Sequence, residues 1–255
     1  MSSATSTDVP KPEPAAPAAD VMMAVAMSRL LRDGELVFHG VASPLPMVAI
    51  LLAKATHAPN LVYLNITGSV DPRPAHLPRS TVDPALLNGS RSLITLADAF
   101  DLSARGELDT VFLSGVQIDG AGRINMSAIG EYAHPKVRLP GGAGSAFLMS
   151  TANRILLWRT RHDRRTFVDR LPFTTGAGKV DRVVTPLCVF RRDPDLNRLT
   201  VESIHPYTTP EEVIQQTGFA LDLHDVPVTP PPSGEEMAAL ARVDPDGVRR
   251  VEFSG

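Results

Sequence analysis

Cysteine is almost absent from this 255-residue sequence, in which Cys188 is the only one. A single thiol forms no internal disulfide, and its place in the apolar run 183–190 predicts a buried strand residue. Long hydrophobic runs are also missing, so no segment is predicted to span a bilayer. The formal net charge of −3 gives no electrostatic basis for binding nucleic acid or a membrane surface.

The motifs of several common enzyme classes are missing as well. There is no G-x-S-x-G nucleophile elbow, no G-x-G-x-x-G dinucleotide fingerprint and no H-E-x-x-H metal site. We therefore expect no metal and no tightly bound cofactor. The N-terminus has no basic region ahead of an apolar stretch, so it does not resemble a secretory signal, and the cytoplasm is the expected location.

The N-terminal segment differs in composition from the rest of the chain. Residues 1–19 hold four prolines and many alanines but almost no large apolar side chains. Such a segment cannot bury enough surface to offset its ordering entropy, so it is predicted to be a disordered leader. Residues 20–255 are predicted to form a single domain, which opens with Asp20 as the cap of a helix at 21–31.

Strand and helix patterns then alternate along the chain. A short apolar strand at 36–38 is followed by Ser43 and Pro44, an N-cap and first-turn pattern, then by a helix at 47–55 and a strand at 60–66. This order predicts two parallel strands joined by a crossover helix. Further helices are predicted at 95–104, 210–217 and 235–242, and further strands at 111–113, 155–158, 183–190 and 199–204. The predicted fold is α/β, an open and mostly parallel sheet with flanking helices.

Four stretches, in this order and spacing, resemble the β subunits of class I CoA-transferases, especially the glutaconate CoA-transferase branch. They are G-V-A-S-P-L-P-M (40–47) with A-T-H-A-P-N-L (55–61), V-Q-I-D-G-A-G-R-I-N-M-S-A-I-G (116–130), H-P-K-V-R-L-P-G-G-A-G-S-A (134–146) and H-P-Y-T-T-P-E-E-V-I-Q-Q-T-G-F (205–219). The resemblance implies an open α/β sheet in each subunit and an active site between a large (α) and a small (β) subunit. It also implies a heterotetramer, α2β2, that acts on acyl-CoA thioesters.

A glycine-rich loop is the first candidate site. The backbone N–H groups around Gly142, Ala143 and Gly144 are poorly shielded by side chains, and two such donors can stabilise negative charge on a thioester oxygen. Such a loop also occurs by chance in many turns. Its flanking sequences resemble those of the family's oxyanion loop, which makes these three residues candidate catalytic residues.

Basic residues close to this loop are candidates for binding coenzyme A, which would enter as part of the substrate. Lys136 and Arg138 could face the CoA phosphates together with the backbone of Gly141, although a plain surface role fits them equally well. A second basic cluster, Arg159 to Arg165, could also meet the phosphates. A solvated strand face pairing with Asp163 and Asp169 is the alternative.

One position departs from the family pattern. True transferases of the family carry a glutamate just after the second strand, which attacks the acyl-CoA and holds CoA as a glutamyl thioester. Counting from shared landmarks, Gly68 and 78–80, places that glutamate at Ile66, and no acid lies within four residues of it. Because isoleucine forms no thioester, the chain cannot run this mechanism from its own site. The predicted substrate pocket contains Ile66 with Asn65, Thr67, Gly40 and Ser43.

The sequence is also similar to the small subunit of a decarboxylase of this family that acts on 3-methylglutaconyl-CoA and lacks the same glutamate. Decarboxylation needs no nucleophile, because the electrons left by CO₂ flow into the thioester as a dienolate. The leading hypothesis is therefore an acyl-CoA decarboxylase or lyase subunit. The alternatives are CoA transfer or thioester hydrolysis with the catalytic acid on the large subunit, and a scaffold without catalytic groups.

Overall fold

The computed structural model describes residues 16–253. The helices are α1 (Ala19–Arg29), α2 (Pro44–Ala55), α3 (Leu96–Ala104), α4 (Ser145–Thr151), α5 (Pro210–Gln216) and α6 (Gly234–Val243). The strands are β1 (Leu36–His39), β2 (Val62–Asn65), β3 (Ser69–Val70), β4 (Ser92–Leu93), β5 (Thr110–Leu113), β6 (Gln117–Asp119), β7 (Ile124–Asn125), β8 (Ala128–Gly130), β9 (Pro135–Arg138), β10 (Arg154–Trp158), β11 (Phe167–Val168), β12 (Val180–Val184), β13 (Cys188–Asp193) and β14 (Arg198–Ile204).

A nine-stranded sheet forms the centre, in the order β14-β13-β12-β10-β5-β1-β2-β3-β4. The five middle strands, β12 to β2, are all parallel, and the strands at both edges are antiparallel. The predicted β1-α2-β2 unit is confirmed, with Leu36 opposite Val62 and His39 opposite Asn65. The predicted fold, an α/β sheet with flanking helices, is therefore confirmed, and antiparallel edges complete it.

Alternate residues of the central strands face opposite sides of the sheet, as the pleat requires. On one side, Val37 and Leu156 pack against α1 and α2. On the other side, Phe38 and Leu157 pack with α3 and α4. Both faces are apolar because both are covered, which is why the central strands are continuous hydrophobic runs instead of alternating ones.

Helix starts are fixed by local chemistry. Thr95 forms a capping box with Asp98 at the start of α3, and Ser233 forms one with Glu236 at the start of α6. At α1 the expected cap is wrong. Asp20 lies inside the helix, where its carboxylate pairs with Arg249 at 2.8 Å.

Three other expectations need correction or limits. The run 183–190 is not one strand but a hairpin, because the chain turns between the end of β12 and the start of β13; Cys188 is buried in β13 as expected. The basic cluster after β10 lies in a loop and not on a strand face, with Asp163 4.0 Å from Arg161 and 3.8 Å from Arg165. Within the described residues Asp169 pairs with neither. Of the expected leader, residues 1–15 lie outside the described residues, and the helix already begins at Ala19.

Among residues 16–253, every helix is too short or too polar to cross a lipid bilayer.

Candidate functional site

The direction of chain growth across the sheet reverses at β1. From β1 the chain passes through α2 to β2 on one side, and it later returns through α3 to β5 on the other side of β1. In open parallel sheets, ligands bind in the crevice beyond the carboxyl ends of the strands at such a reversal. The loops that follow β1 and β2 contain the whole predicted substrate pocket, so the topology brings these residues to the expected edge.

The loop after β1 runs from Gly40 to Ser43. Ser43 occupies the N-cap position of α2, as predicted, but its hydroxyl does not cap the helix. It donates instead to the carbonyl of Gly40 at 2.5 Å and lies 2.7 Å from Nδ1 of His39. Ala42 adopts a φ of 50°, which is rare for a residue with a Cβ and marks a tightly constrained loop.

The turn after β2 carries Asn65, Ile66 and Thr67 and closes with a bond from the Gly68 N–H to the Asn65 carbonyl, 2.9 Å long. Gly68 has a φ of 89°, and a Cβ there would lie 2.1 Å from the carbonyl oxygen of Ile94. Only glycine fits this position. Ile66 is half-buried against the core on the α3 side, whereas Asn65 is fully buried on the α2 side.

Two residues of this edge were missed by the sequence reasoning. His39 and Tyr63 are fully buried, with their rings stacked 5.3 Å apart and Nε2 of His39 2.5 Å from the Tyr63 hydroxyl. Burial lowers the pKa of His39 to about 4, so its ring is neutral near pH 7. Burial also raises the pKa of Tyr63. The available signal was the position of His39, a polar residue that ends an apolar strand.

The glycine loop enters α4 from the opposite side of the sheet. Gly141 has a φ of 90° and Ala143 a φ of 43°, so two of its residues lie in the left-handed region. No oxygen within the described residues accepts a hydrogen bond from the N–H of Gly142, Ala143 or Gly144. These donors are therefore available to a ligand, as an oxyanion site requires.

Close packing explains the glycines. A Cβ at Gly142 would lie 2.7 Å from Cγ2 of Thr175, and one at Gly144 would lie 2.6 Å from Cζ of Phe100. Phe100 belongs to α3 and packs on the same core cluster as Ile66. The strand β4, which the Ile94 N–H bond to Gly68 holds in place, leads directly into this helix. Helix α3 thus connects the turn that carries Ile66 with the glycine loop.

Lys136 and Arg138 lie on β9, an exposed strand of the β8-β9 hairpin. The Arg138 guanidinium lies 5.0 Å above the ring of Tyr132, which stacks on Phe173 at 4.2 Å. This contact orients Arg138, whereas Lys136 has no ion-pair partner among residues 16–253. Neither is close in sequence or strand order to β1 and β2, so the structure leaves the predicted CoA contacts separate from the predicted substrate pocket.

The acids nearest to the pocket are engaged within the chain. Burial alone would raise the pKa of Asp71, but its bonds to Lys54 and to the Tyr63 N–H outweigh this and lower it. Glu252 accepts from the Leu45 N–H and from the Trp158 indole, and burial raises its pKa. Asp71 is thus held as a bonded carboxylate and Glu252 as a cap of α2, and neither is placed as a nucleophile.

A separate cleft of about 570 Å³ opens at the other end of the sheet, near Glu35, Arg154 and Asp181. Arg154 pairs there with both carboxylates, at 2.8 and 3.2 Å. Its charges are largely matched within the chain, and it lies at the amino ends of the strands. We therefore place the candidate site at the carboxyl edge.

Comparison with known proteins agrees with this fold and site. A family model described as coenzyme A transferase matches residues 21–216. One of the two chains of the 3-oxoadipate CoA-transferase from Pseudomonas knackmussii is 32% identical over 241 residues, which cover 88% of this chain and 92% of that protein. The IpdB subunit of a cholesterol ring-cleaving hydrolase from Mycobacterium tuberculosis is 28% identical and covers 90% and 96%. The crystal structure of the decarboxylase AibA/AibB superimposes with a TM-score of 0.85 at 34% identity, over 91% of this chain and 96% of the matched one.

Proposed function

Because this chain belongs to the coenzyme A transferase family, whose model matches most of its length, we propose that it is the small subunit of a two-chain enzyme acting on acyl-CoA thioesters. We further propose that the reaction is decarboxylation of an unsaturated dicarboxylyl-CoA. The partner is a large subunit of the same family, in an α2β2 assembly, and coenzyme A enters only as part of the substrate.

The observation that carries the proposal is Ile66. It occupies the turn position where the resemblance to the transferases places their glutamate, and its side chain packs against the apolar core. The nearest acid in sequence, Asp71, is held by Lys54 at 2.9 Å and is not free to attack a thioester. A ping-pong transfer needs a carboxylate that can carry CoA, whereas decarboxylation needs none.

The glycine loop supplies what decarboxylation does need. When the carbon–carbon bond to the leaving carboxylate breaks, its electron pair moves into the thioester and forms a dienolate, which later takes a proton from water. The unbonded N–H groups of Gly142, Ala143 and Gly144 are suited to stabilise that oxygen. An apolar Ile66 beside the departing carboxylate would withhold solvation from it.

CoA transfer or thioester hydrolysis is the second candidate, with the catalytic acid on the large subunit. It is favoured by two of the relatives, since one is a subunit of a CoA-transferase and another a subunit of a hydrolase. A scaffold without catalytic groups is less well supported, because a scaffold has no use for a row of unbonded backbone donors.

The test uses the complex of this chain with its large subunit. Candidate acyl-CoAs are added, and the intact masses of both chains, released CO₂ and free thiol are recorded together. Decarboxylation predicts CO₂ with the thioester intact and no mass change on this chain. Free thiol without CO₂ would indicate hydrolysis, and a CoA adduct on the large subunit would indicate transfer. An adduct on this chain would contradict the role assigned to position 66.

Two variants sharpen this test. Ile66→Val keeps the pocket apolar and should retain the reaction. Ile66→Glu restores a carboxylate but should not create an efficient transferase, because a catalytic group must be held within about 0.5 Å of its productive geometry by supporting residues. The neighbouring Asn65 and Thr67 are already bonded to each other and are not free to orient it.

A further inference from the structure

Four residues of the predicted pocket are joined by a single buried chain of hydrogen bonds. The chain runs from Thr67 and Asn65, in the turn after β2, to Ser43 and Gly40, in the loop after β1. Between them it passes through Tyr63 and His39, which no motif singled out. His39, Ser43 and Tyr63 are fully buried and Asn65 is 1% exposed, so water cannot replace these bonds.

The direction of each bond follows from the Thr67 end. A backbone N–H can only donate, so the Asn65 oxygen that lies 2.8 Å from the Thr67 nitrogen must be Oδ1. The Thr67 hydroxyl donates to the same oxygen at 2.7 Å. The Asn65 amide nitrogen therefore faces the Tyr63 hydroxyl and donates to it at 2.8 Å.

The rest of the chain is then determined. Having accepted from Asn65, the Tyr63 hydroxyl donates to Nε2 of His39. His39 must carry its proton on Nδ1, which donates to the Ser43 hydroxyl at 2.7 Å, and that hydroxyl donates to the Gly40 carbonyl. A carbonyl can only accept, so both ends of the chain are fixed by backbone groups that allow one direction.

We infer that His39 and Tyr63 are positioning residues that lock the loops after β1 and β2 into one rigid pocket wall. The inference rests on the proposed function, since these loops are taken to form the acyl pocket. A neutral imidazole suits this role because a rigid ring presents an acceptor on one edge and a donor on the other. Both residues are fully buried and act on the substrate only through Asn65, Ile66, Thr67 and the Gly40 loop.

Tyr63→Phe tests the inference, because it removes one hydroxyl and leaves the ring that stacks on His39. The matched control is Tyr207→Phe, which removes a hydroxyl bonded to the Pro186 carbonyl at 2.9 Å, far from β1 and β2 in the strand order. Both are made in the full chain within its two-subunit enzyme. The readouts are hydrogen exchange at the Thr67 N–H, the ¹⁵N shifts of His39, and kcat and KM.

In Tyr63→Phe, the Thr67 N–H should exchange about tenfold faster, because Asn65 loses the partner that orients it. His39 should move from the Nδ1-protonated form to a mixture of tautomers. With whichever acyl-CoA the enzyme accepts, kcat should fall about tenfold while KM stays within about twofold, the pattern of lost positioning and not of lost binding. Tyr207→Phe should change none of these quantities.

Unchanged exchange and ¹⁵N shifts in Tyr63→Phe would overturn the chain as drawn. Faster exchange with an unchanged kcat would overturn the positioning role and leave a purely structural network. Neither readout depends on which reaction occurs, so failure of the decarboxylase proposal, seen as absence of CO₂, remains distinguishable from failure of this inference.

Two substitutions of His39 separate the halves of the chain. Gln places its side-chain amide near the position of Nε2 and can still accept from Tyr63, whereas Asn places its amide near Nδ1 and can only serve Ser43. His39→Gln should therefore keep more of the Thr67 protection and of kcat than His39→Asn. The reverse order, in variants of equal thermal stability, would contradict the chain.

Discussion

The two halves of the candidate site use their polar groups in opposite ways. On the α2 side of the sheet, the side chains of His39, Ser43, Tyr63 and Asn65 are buried and bonded to one another. On the α3 side, the glycine loop at 141–144 leaves three successive N–H groups without an acceptor in the described residues. The first half is complete within this chain, whereas the second is built to receive a ligand.

This difference separates shape from chemistry. A saturated buried network fixes geometry but offers no free group to a substrate, since each donor and acceptor is already used. Unbonded N–H groups at residues held by close packing can stabilise charge without reorganising. Perturbing the first half should therefore alter stability and loop order, and perturbing the second should alter turnover.

Lowering the pH should have the largest effect, and it acts on the buried half. Burial lowers the pKa of His39 to about 4, of His162 to about 3 and of His205 to about 4. In the unfolded chain each titrates near 6.5, so between about pH 6.5 and 4 the unfolded state binds more protons. The folding free energy is complete above pH 6.5 and falls with pH, by up to about 4 kcal/mol per pH unit for the three groups together.

Thermal unfolding between pH 7 and pH 5 measures this effect, and His39→Gln should remove about a third of the slope. The raised pKa of Glu252 acts in the opposite direction and reduces the total. A midpoint that stays flat between pH 7 and pH 5 would show that the buried histidines are not held neutral.

Ala143→Pro should have the next largest effect, and it acts on the unbonded half. Proline removes the N–H and requires a φ near −65°, whereas Ala143 has a φ of 43°. Losing one oxyanion donor reduces turnover by about 10² to 10³. Turnover and thermal stability of the two-subunit enzyme are measured together.

Ala143→Gly is the matched control, because glycine adopts a positive φ readily and keeps the N–H. It should retain turnover within about threefold. Full turnover in a folded Ala143→Pro enzyme would remove the glycine loop from the proposed chemistry.

Gly144→Ala should have a smaller effect that links the two halves. The new Cβ would lie 2.6 Å from Cζ of Phe100, so α3 or the loop must shift, at a cost of about 1–3 kcal/mol in stability. Phe100→Leu removes the obstructing ring and should restore part of the loss in the double variant. Additive effects of the two substitutions in chemical unfolding would show that Phe100 does not set the position of the loop.

The central strands and most helix positions could be predicted from the sequence because they depend on local patterns. Apolar runs such as 155–158 and caps such as Thr95 carry their own signals. The buried hydrogen-bond chain could not be predicted, since it depends on the register that places His39 opposite Asn65 across two strands. The expected cap at Ser43 shows the same limit, because its hydroxyl is taken by a histidine four residues earlier in the chain.

Neutralising Arg138 should have the smallest effect, and it asks whether the ligand-receiving half extends onto the β8-β9 hairpin. The contact with Tyr132 holds the guanidinium in place, but its exposure lets water and salt screen any bond to a CoA phosphate. Such an exposed contact is worth at most about 1 kcal/mol, or about a fivefold change in KM. Arg138→Gln should therefore raise the KM for acyl-CoA a few-fold at low salt, leave kcat unchanged and lose its effect at high salt. Lys136→Gln is the matched variant and should do less, because no aromatic ring orients that side chain. A KM that is the same for wild type and Arg138→Gln at low salt would place the CoA phosphates elsewhere and confine the ligand-receiving half to the glycine loop.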